Sequence, residues 1–184
     1  TLFSVDLGTG VGSYIGDTPE YLAAEIEYDN LSGRLFASMG FKPWYGDGIG
    51  PRLYELDPAT GAEIGYVELS EDCALPGLEF VDGTLFGACN YDKPEDDGMP
   101  YLVTVDPDTG EVHEFYEGPI VDDYALVHGL AWDESARIMY GLVVTEGPNA
   151  LVTLDLDSGE GDFLCEIWDD DYSDLADNLR AIEF

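Results

Sequence analysis

Four stretches of the chain repeat one pattern of apolar and polar positions: Leu2-Phe-Ser-Val-Asp-Leu-Gly-Thr-Gly10, Leu53-Tyr-Glu-Leu-Asp-Pro-Ala-Thr-Gly61, Leu102-Val-Thr-Val-Asp-Pro-Asp-Thr-Gly110 and Leu151-Val-Thr-Leu-Asp-Leu-Asp-Ser-Gly159. Alternating apolar residues lead into an Asp at 6, 57, 106 and 155, and a Gly closes each stretch. A second pattern is interleaved with the first: Ile26-Glu-Tyr-Asp29, Leu78-Glu-Phe80, Leu130-Ala-Trp-Asp133 and Ile182-Glu-Phe184. Its aromatic falls at 28, 80, 132 and 184, a spacing of 52 residues each time. Two registers that share one period define a true internal repeat.

Each unit divides into four short strands. In the first strand, Ile/Leu-x-aromatic, alternation puts two large apolar groups on one face. Turns at Asp29–Gly33, Val81–Gly83 and Asp133–Ala136 lead to a second strand, Leu35-Phe-Ala, Leu85-Phe-Gly or Met139-Tyr-Gly. The third strand runs into the Asp…Gly turn, where Asp bonds its own backbone and Gly supplies a positive φ. The fourth follows at once as Ser13-Tyr-Ile, Ile64-Gly-Tyr-Val, Val112-His-Glu-Phe and Asp162-Phe-Leu-Cys. The best helical stretch, Tyr172 to Leu179, is short and crowded with Asp. The pattern therefore predicts an all-β chain, a β-propeller of about four blades with four antiparallel strands each. The units are 1–16 with 178–184, then 22–69, 77–117 and 129–167, within a single domain spanning 1–184.

The Leu-Tyr-x-Leu-Asp-Pro-x-Thr-Gly turn, with its Gly-Leu-x-aromatic-Asp and Leu-Phe/Tyr-Gly strands, resembles the propellers of the YVTN and quinoprotein-like superfamily. The resemblance covers essentially every repeat. It implies the fold and leaves function open, since such propellers serve as enzymes, binding proteins and structural modules. The quinone-binding members carry a tryptophan docking motif in each blade. Here Trp132 alone stands in the matching strand, beside Tyr28, Phe80 and Phe184, so quinone binding is not implied.

The chain enters at a third strand and ends on a first strand. Three arrangements follow: a closed four-bladed ring in which 178–184 pairs beside 1–16, a piece of a longer propeller, or an assembly in which a neighbouring chain supplies the missing strand through edge pairing. The start at Thr1 fits a processed or excised piece.

Charge narrows the function. The 184 residues hold 40 acidic and six basic side chains, for a formal net charge of -34. A nucleic-acid interface needs a basic face, which six scattered cations cannot build. Disorder is the common consequence of such acidity, but 45% of residues are hydrophobic, enough for a core. No run of about 18 apolar residues exists to span a bilayer. Self-repulsion at this charge is screened in molar salt, where the Debye length falls to about 3 Å. The expectation is a secreted or cell-surface protein of a saline environment. Cys73, Cys89 and Cys165 are compatible with one disulfide plus a free thiol or with three buried thiols.

In a propeller the turns after strands one and three lie on one face, and here they are short. The connections after strands two and four lie on the other and are long, so recognition is expected there. Trp44, Tyr45 and Tyr91 form a candidate platform for a sugar or a peptide. Asp169, Asp170, Asp171 and Asp174, with Asp122 and Asp123, offer hard oxygen ligands for Ca²⁺. Asp155-x-Asp-x-Gly159 starts like an EF-hand loop but lacks the distal Glu. His128 is the one candidate general base and a candidate ligand contact, with Asp122 or Asp123 to orient it, while His113 reads as structural. Acids at Glu25, Glu27, Glu55, Glu114 and Glu166 read as solvent-facing strand positions. The leading expectation is a non-enzymatic binding or assembly module whose partner is a protein or a carbohydrate. The alternatives are a Ca²⁺-dependent propeller lyase or hydrolase on the long-loop face, and a structural subunit of a filament or surface layer joined through edge strands.

Overall fold

The computed structural model describes residues 1–18, 25–38, 50–71, 73–91, 99–114, 120, 126–144 and 148–167. They form fourteen strands in four antiparallel sheets. The first sheet pairs β1 (Leu2–Val5) with β2 (Gly12–Gly16). The second orders β3 (Glu25–Asp29), β4 (Arg34–Ser38), β5 (Arg52–Leu56) and β6 (Glu63–Glu68). The third orders β7 (Cys73–Val81), β8 (Thr84–Tyr91), β9 (Pro100–Val105) and β10 (Val112–Glu114). The fourth orders β11 (Leu126–Asp133), β12 (Ile138–Val144), β13 (Asn149–Leu154) and β14 (Gly161–Ile167). This is the all-β, four-bladed propeller expected from the repeat. Three blades are complete, and the unit at the N-terminus shows strands three and four. The pairing expected of 178–184 lies outside the described residues.

Strand alternation fills the spaces between blades. In β8, Leu85 packs into a cluster with Phe36 and Leu53 of the preceding blade and Leu75 of β7 in its own. Its neighbour Phe86 points to the opposite face, against Val127, Leu130 and Met139 of the following one. A blade is thus covered on both sides, which is why Leu35, Phe36 and Ala37 are all buried. A smaller cluster, Leu2, Leu35, Ala37, Tyr54 and Leu56, seats the two-stranded unit.

The units read at 77–117 and 129–167 begin earlier as strand, β7 at Cys73 and β11 at Leu126. Each longer strand carries a bulge, between Ala74 and Gly77 and between Val127 and Gly129. Pro76, which has no N–H to give a ladder, falls in the first bulge, where none is required. Beyond it, Gly77 lies so close to the third complete blade that a Cβ there would stand 3.1 Å from the backbone of Gly129 and Leu130. The inner strands need that glycine to approach.

The Asp…Gly turns behave as the sequence requires. The carboxylate of Asp106 accepts the N–H groups of Asp108 and Thr109, and Gly110 closes the turn at φ 77° with its N–H bonded to the Asp106 carbonyl at 2.8 Å. The backbone N–H of Asp108, and then Thr109, hold the Asp106 carboxyl below the ordinary range. Three of the four such turns also abut the unit before them, while a Cβ at Gly10 in the first would meet nothing within 4 Å. Gly110 abuts the Glu68 carbonyl and accepts the Ser70 N–H at 2.9 Å, Gly16 abuts Thr60, and Gly161 abuts Ile120. Positions 16, 68 and 120 share the 52-residue spacing, so one joint is built three times.

Of the candidate cysteines, Cys73 and Cys89 are both buried and bonded across β7 and β8, while Cys165 is exposed and free. The structure therefore decides for one disulfide and one thiol, against three buried thiols.

Candidate functional site

The short-turn ends of β3, β7 and β11 enclose a depression of about 950 Å³ near the axis. Each strand supplies equivalent parts. Position 28/80/132 gives Tyr28, Phe80 and Trp132, and position 27/79 gives Glu27 and Glu79. The following turns add Asp29, Asn30 and Leu31, then Asp82 and Gly83, then Asp133, Glu134 and Ser135.

The strands are tied to one another by their glutamates. Glu27 Oε1 accepts the Phe80 backbone N–H at 3.2 Å, and Glu79 Oε2 accepts the Trp132 backbone N–H at 3.0 Å. The step is 53 residues both times, one repeat plus one position. Glu27 is therefore not solvent-facing, as alternation along a one-sided sheet would have it. It is buried, because the next blade covers its face and provides its donor. Glu55 is half-buried under Arg34, whereas Glu114 and Glu166 are exposed as expected. Ile26 and Tyr28 are exposed, 48% and 44%, whereas Leu78 and Leu130, the equivalents of Ile26, are buried and Phe80 and Trp132, the equivalents of Tyr28, are half-buried.

The rim carboxylates are anchored by their turns. Burial pushes the Asp29 carboxyl up, but the Ser32 hydroxyl, the Leu31 and Ser32 N–H groups and the Arg34 charge more than offset this and leave it below its usual range. The hydroxyl of Ser135, with the N–H groups of Ala136 and Ser135, likewise holds Asp133 below its usual range. Both are ionised at neutral pH, and among the described residues that line the depression there is no Lys or Arg, Arg137 standing at its rim. Arg34 links blades instead, bonding Glu55 at 2.7 Å and Asp108 of the next blade at 2.8 Å. Arg137 links them too, reaching Asp82 at 3.3 Å.

Two backbone positions at the rim hold non-glycine residues at positive φ, Asp82 (50°) and Arg137 (56°). Asp82 and Gly83 form a two-residue hairpin turn, whose geometry calls for φ > 0 at both. Arg137 closes the turn after β11 with its N–H on the Asp133 carbonyl at 2.7 Å. In the turn after β3 that place belongs to Gly33, at φ 76°.

Of the residues singled out in the sequence, the structure places His128 in β11, within the bulge between Val127 and Gly129, half-buried. The buried Asn90 clamps the adjoining Val127, its amide N–H and carbonyl bonding the Val127 backbone at 3.4 Å. His113 is exposed in β10, 3.6 Å from Glu111. Trp44, Tyr45, Asp122, Asp123, Asp169, Asp170, Asp171 and Asp174 lie outside the described residues, as does the side chain of Tyr91. Among the described residues no three His, Cys, Asp or Glu side chains converge as metal ligands, and no helix is long and apolar enough to cross a membrane.

No protein-family model matches the chain, and no curated protein matches it. Solved structures do. A GH43 β-1,3-galactosidase in complex with galactodeoxynojirimycin superposes with TM-score 0.55 at 14% identity, over 78% of this chain and 45% of its own. The Dos1 propeller matches with TM-score 0.49 at 14% identity, over 87% and 40%. A periplasmic gluconolactonase of Pseudomonas aeruginosa matches with TM-score 0.45 at 17% identity, over 82% and 44%. At such identity the galactosidase likeness shows the fold. The chain spans less than half the length of each of these three proteins.

Proposed function

We propose that this β-propeller is a binding and assembly module, secreted or displayed at the surface of a cell in a saline environment, which takes a protein or carbohydrate ligand in the axial depression. Its kinship with the YVTN and quinoprotein-like propellers is part of the same proposal. The observation that carries the reading is the repeated construction of the depression. Three blades each present an aromatic at the same strand position, on strands locked together by Glu27 and Glu79. A rigid frame with ring faces and fixed carboxylates costs little ordering when a ligand enters. The outer strand β14, with Phe163 and Leu164 exposed, supports an assembly role through its edge.

The test uses peptide and glycan arrays probed with the native chain and with the exposed rim pair Asn30→Lys and Glu134→Lys. Signals from one ligand class that disappear in the rim variant are expected. Loss of none of them, or no signal above that of the variant, overturns the reading.

Saline adaptation makes a separate prediction. Raising NaCl from low millimolar to molar is expected to lift the melting temperature by several degrees, as screening relieves repulsion among 40 acids. A melting curve indifferent to NaCl and to millimolar Ca²⁺ contradicts it.

A further inference from the structure

We propose that Trp132 and Asp82 form a cation subsite at the rim of the depression, built for the guanidinium or ammonium group of a basic peptide, and that Arg137 covers it as an intramolecular stand-in. The proposal rests on the reading of the depression as the ligand face and gives its ligand a chemical class.

The Arg137 guanidinium carbon lies over the Trp132 ring, 5.5 Å from its centroid, while a terminal nitrogen stands 3.3 Å from an Asp82 carboxylate oxygen. A cation held over an indole face and beside a carboxylate is the pairing by which proteins recognise organic cations. The backbone makes the placement deliberate. The matching turn in the β3–β4 hairpin uses Gly33, which is unstrained at positive φ, yet the β11–β12 turn holds an arginine at φ 56°. A chain with six basic residues thus places one of them in a strained position on this rim.

The stand-in is displaceable. The side chains of Arg137 and Asp82 are 65% and 72% exposed, so water screens their attraction and an incoming cation competes on nearly equal terms. Trp132 is the fixed half of the subsite, packed at its base against the cluster that contains Leu130 and Met139. Glu27, Asp29, Glu79, Asp133 and Glu134 around the depression favour a positive visitor and disfavour an anion. Their spread, with no three of the described carboxylates converging, suits an organic cation rather than a metal ion.

The probe is Nα-acetyl-arginine amide, with the neutral citrulline analogue as its control, titrated at 150 mM salt while the Trp132 indole signal is followed by NMR. Arg137→Gly is expected to keep the fold, because glycine suits that φ, and to bind the probe about five- to thirtyfold tighter than the native chain. Adding Asp82→Asn should remove that gain. Glu166→Gln, which deletes one exposed charge far from the rim, should leave affinity unchanged and so separates the subsite from general attraction to an acidic protein. Equal affinity in Arg137→Gly and the native chain, an unmoved Trp132 indole, or an equal response to citrulline overturns the proposal. If array ligands are lost in the rim variant while the arginine probe fails, the cation assignment falls and the binding-face reading stands.

Discussion

Replacing Gly110 with alanine is expected to lower the melting temperature by roughly 5–20 °C. Two costs combine. Gly110 sits at φ 77°, where an L side chain loses about 1–2 kcal/mol. A Cβ there would also stand 2.1 Å from the Glu68 carbonyl oxygen, which is backbone and cannot rotate away. Overpacking of that kind costs about 1–3 kcal/mol, and the Ser70 N–H bond to the Gly110 carbonyl is strained with it. Thermal unfolding by circular dichroism measures the shift. A control at Gly65, where a Cβ meets nothing within 4 Å, should change little by comparison. Equal melting temperatures for the two variants would mean that the turn does not bear on the neighbouring blade.

Breaking the Cys73–Cys89 bond is the second large effect. The bond closes a separation of 16 residues, and constraint of the unfolded chain over a loop of that size is worth about 3 kcal/mol. Both sulfurs lie in the cluster that joins the β3–β6 and β7–β10 blades. Cys73→Ser with Cys89→Ser adds two hydroxyls to that cluster, so the alanine pair is the cleaner comparison. The alanine pair, or the native chain under strong reductant, is expected to melt about 6–12 °C lower. Mass spectrometry of the alkylated protein should show one modified thiol, Cys165, without reductant and three with it. Three without reductant would contradict the bond.

The fold was legible because local chemistry and long-range period agree. Asp106 and Gly110 make the same turn as Asp6 and Gly10 wherever they stand, and that turn needs nothing from the rest of the chain. Strand edges were less legible. Pro76 marks a boundary under any local rule, and only pairing with β8 shows that a bulge accommodates it. The misplacement of Glu27 has a related cause. Period-two alternation says which face a residue takes but not whether another blade covers that face.

The axial depression is hidden in the sequence for a different reason. Loop length points to the long-loop face, whereas this site is built from strand ends and tight turns. A signal was present in the Ile/Leu-Glu-aromatic sequence at 26–28, 78–80 and 182–184, where a charge recurs beside the conserved spacing of rings. Its meaning depended on the partner blade. A glutamate that looks outward along its own strand becomes a bridge once Phe80 or Trp132 is set opposite.

Those bridges also run one way, each from a glutamate to the strand one repeat later. At the place of Glu27 and Glu79, the third inner strand carries Ala131, which has no oxygen to extend forward. The joints are therefore unequal. In an array of repeats, stability is a sum over neighbours, and opening begins at the weakest of them. Glu27 and Glu79 tie β3, β7 and β11 into one series, and among the described residues that series of side-chain bridges ends at Ala131.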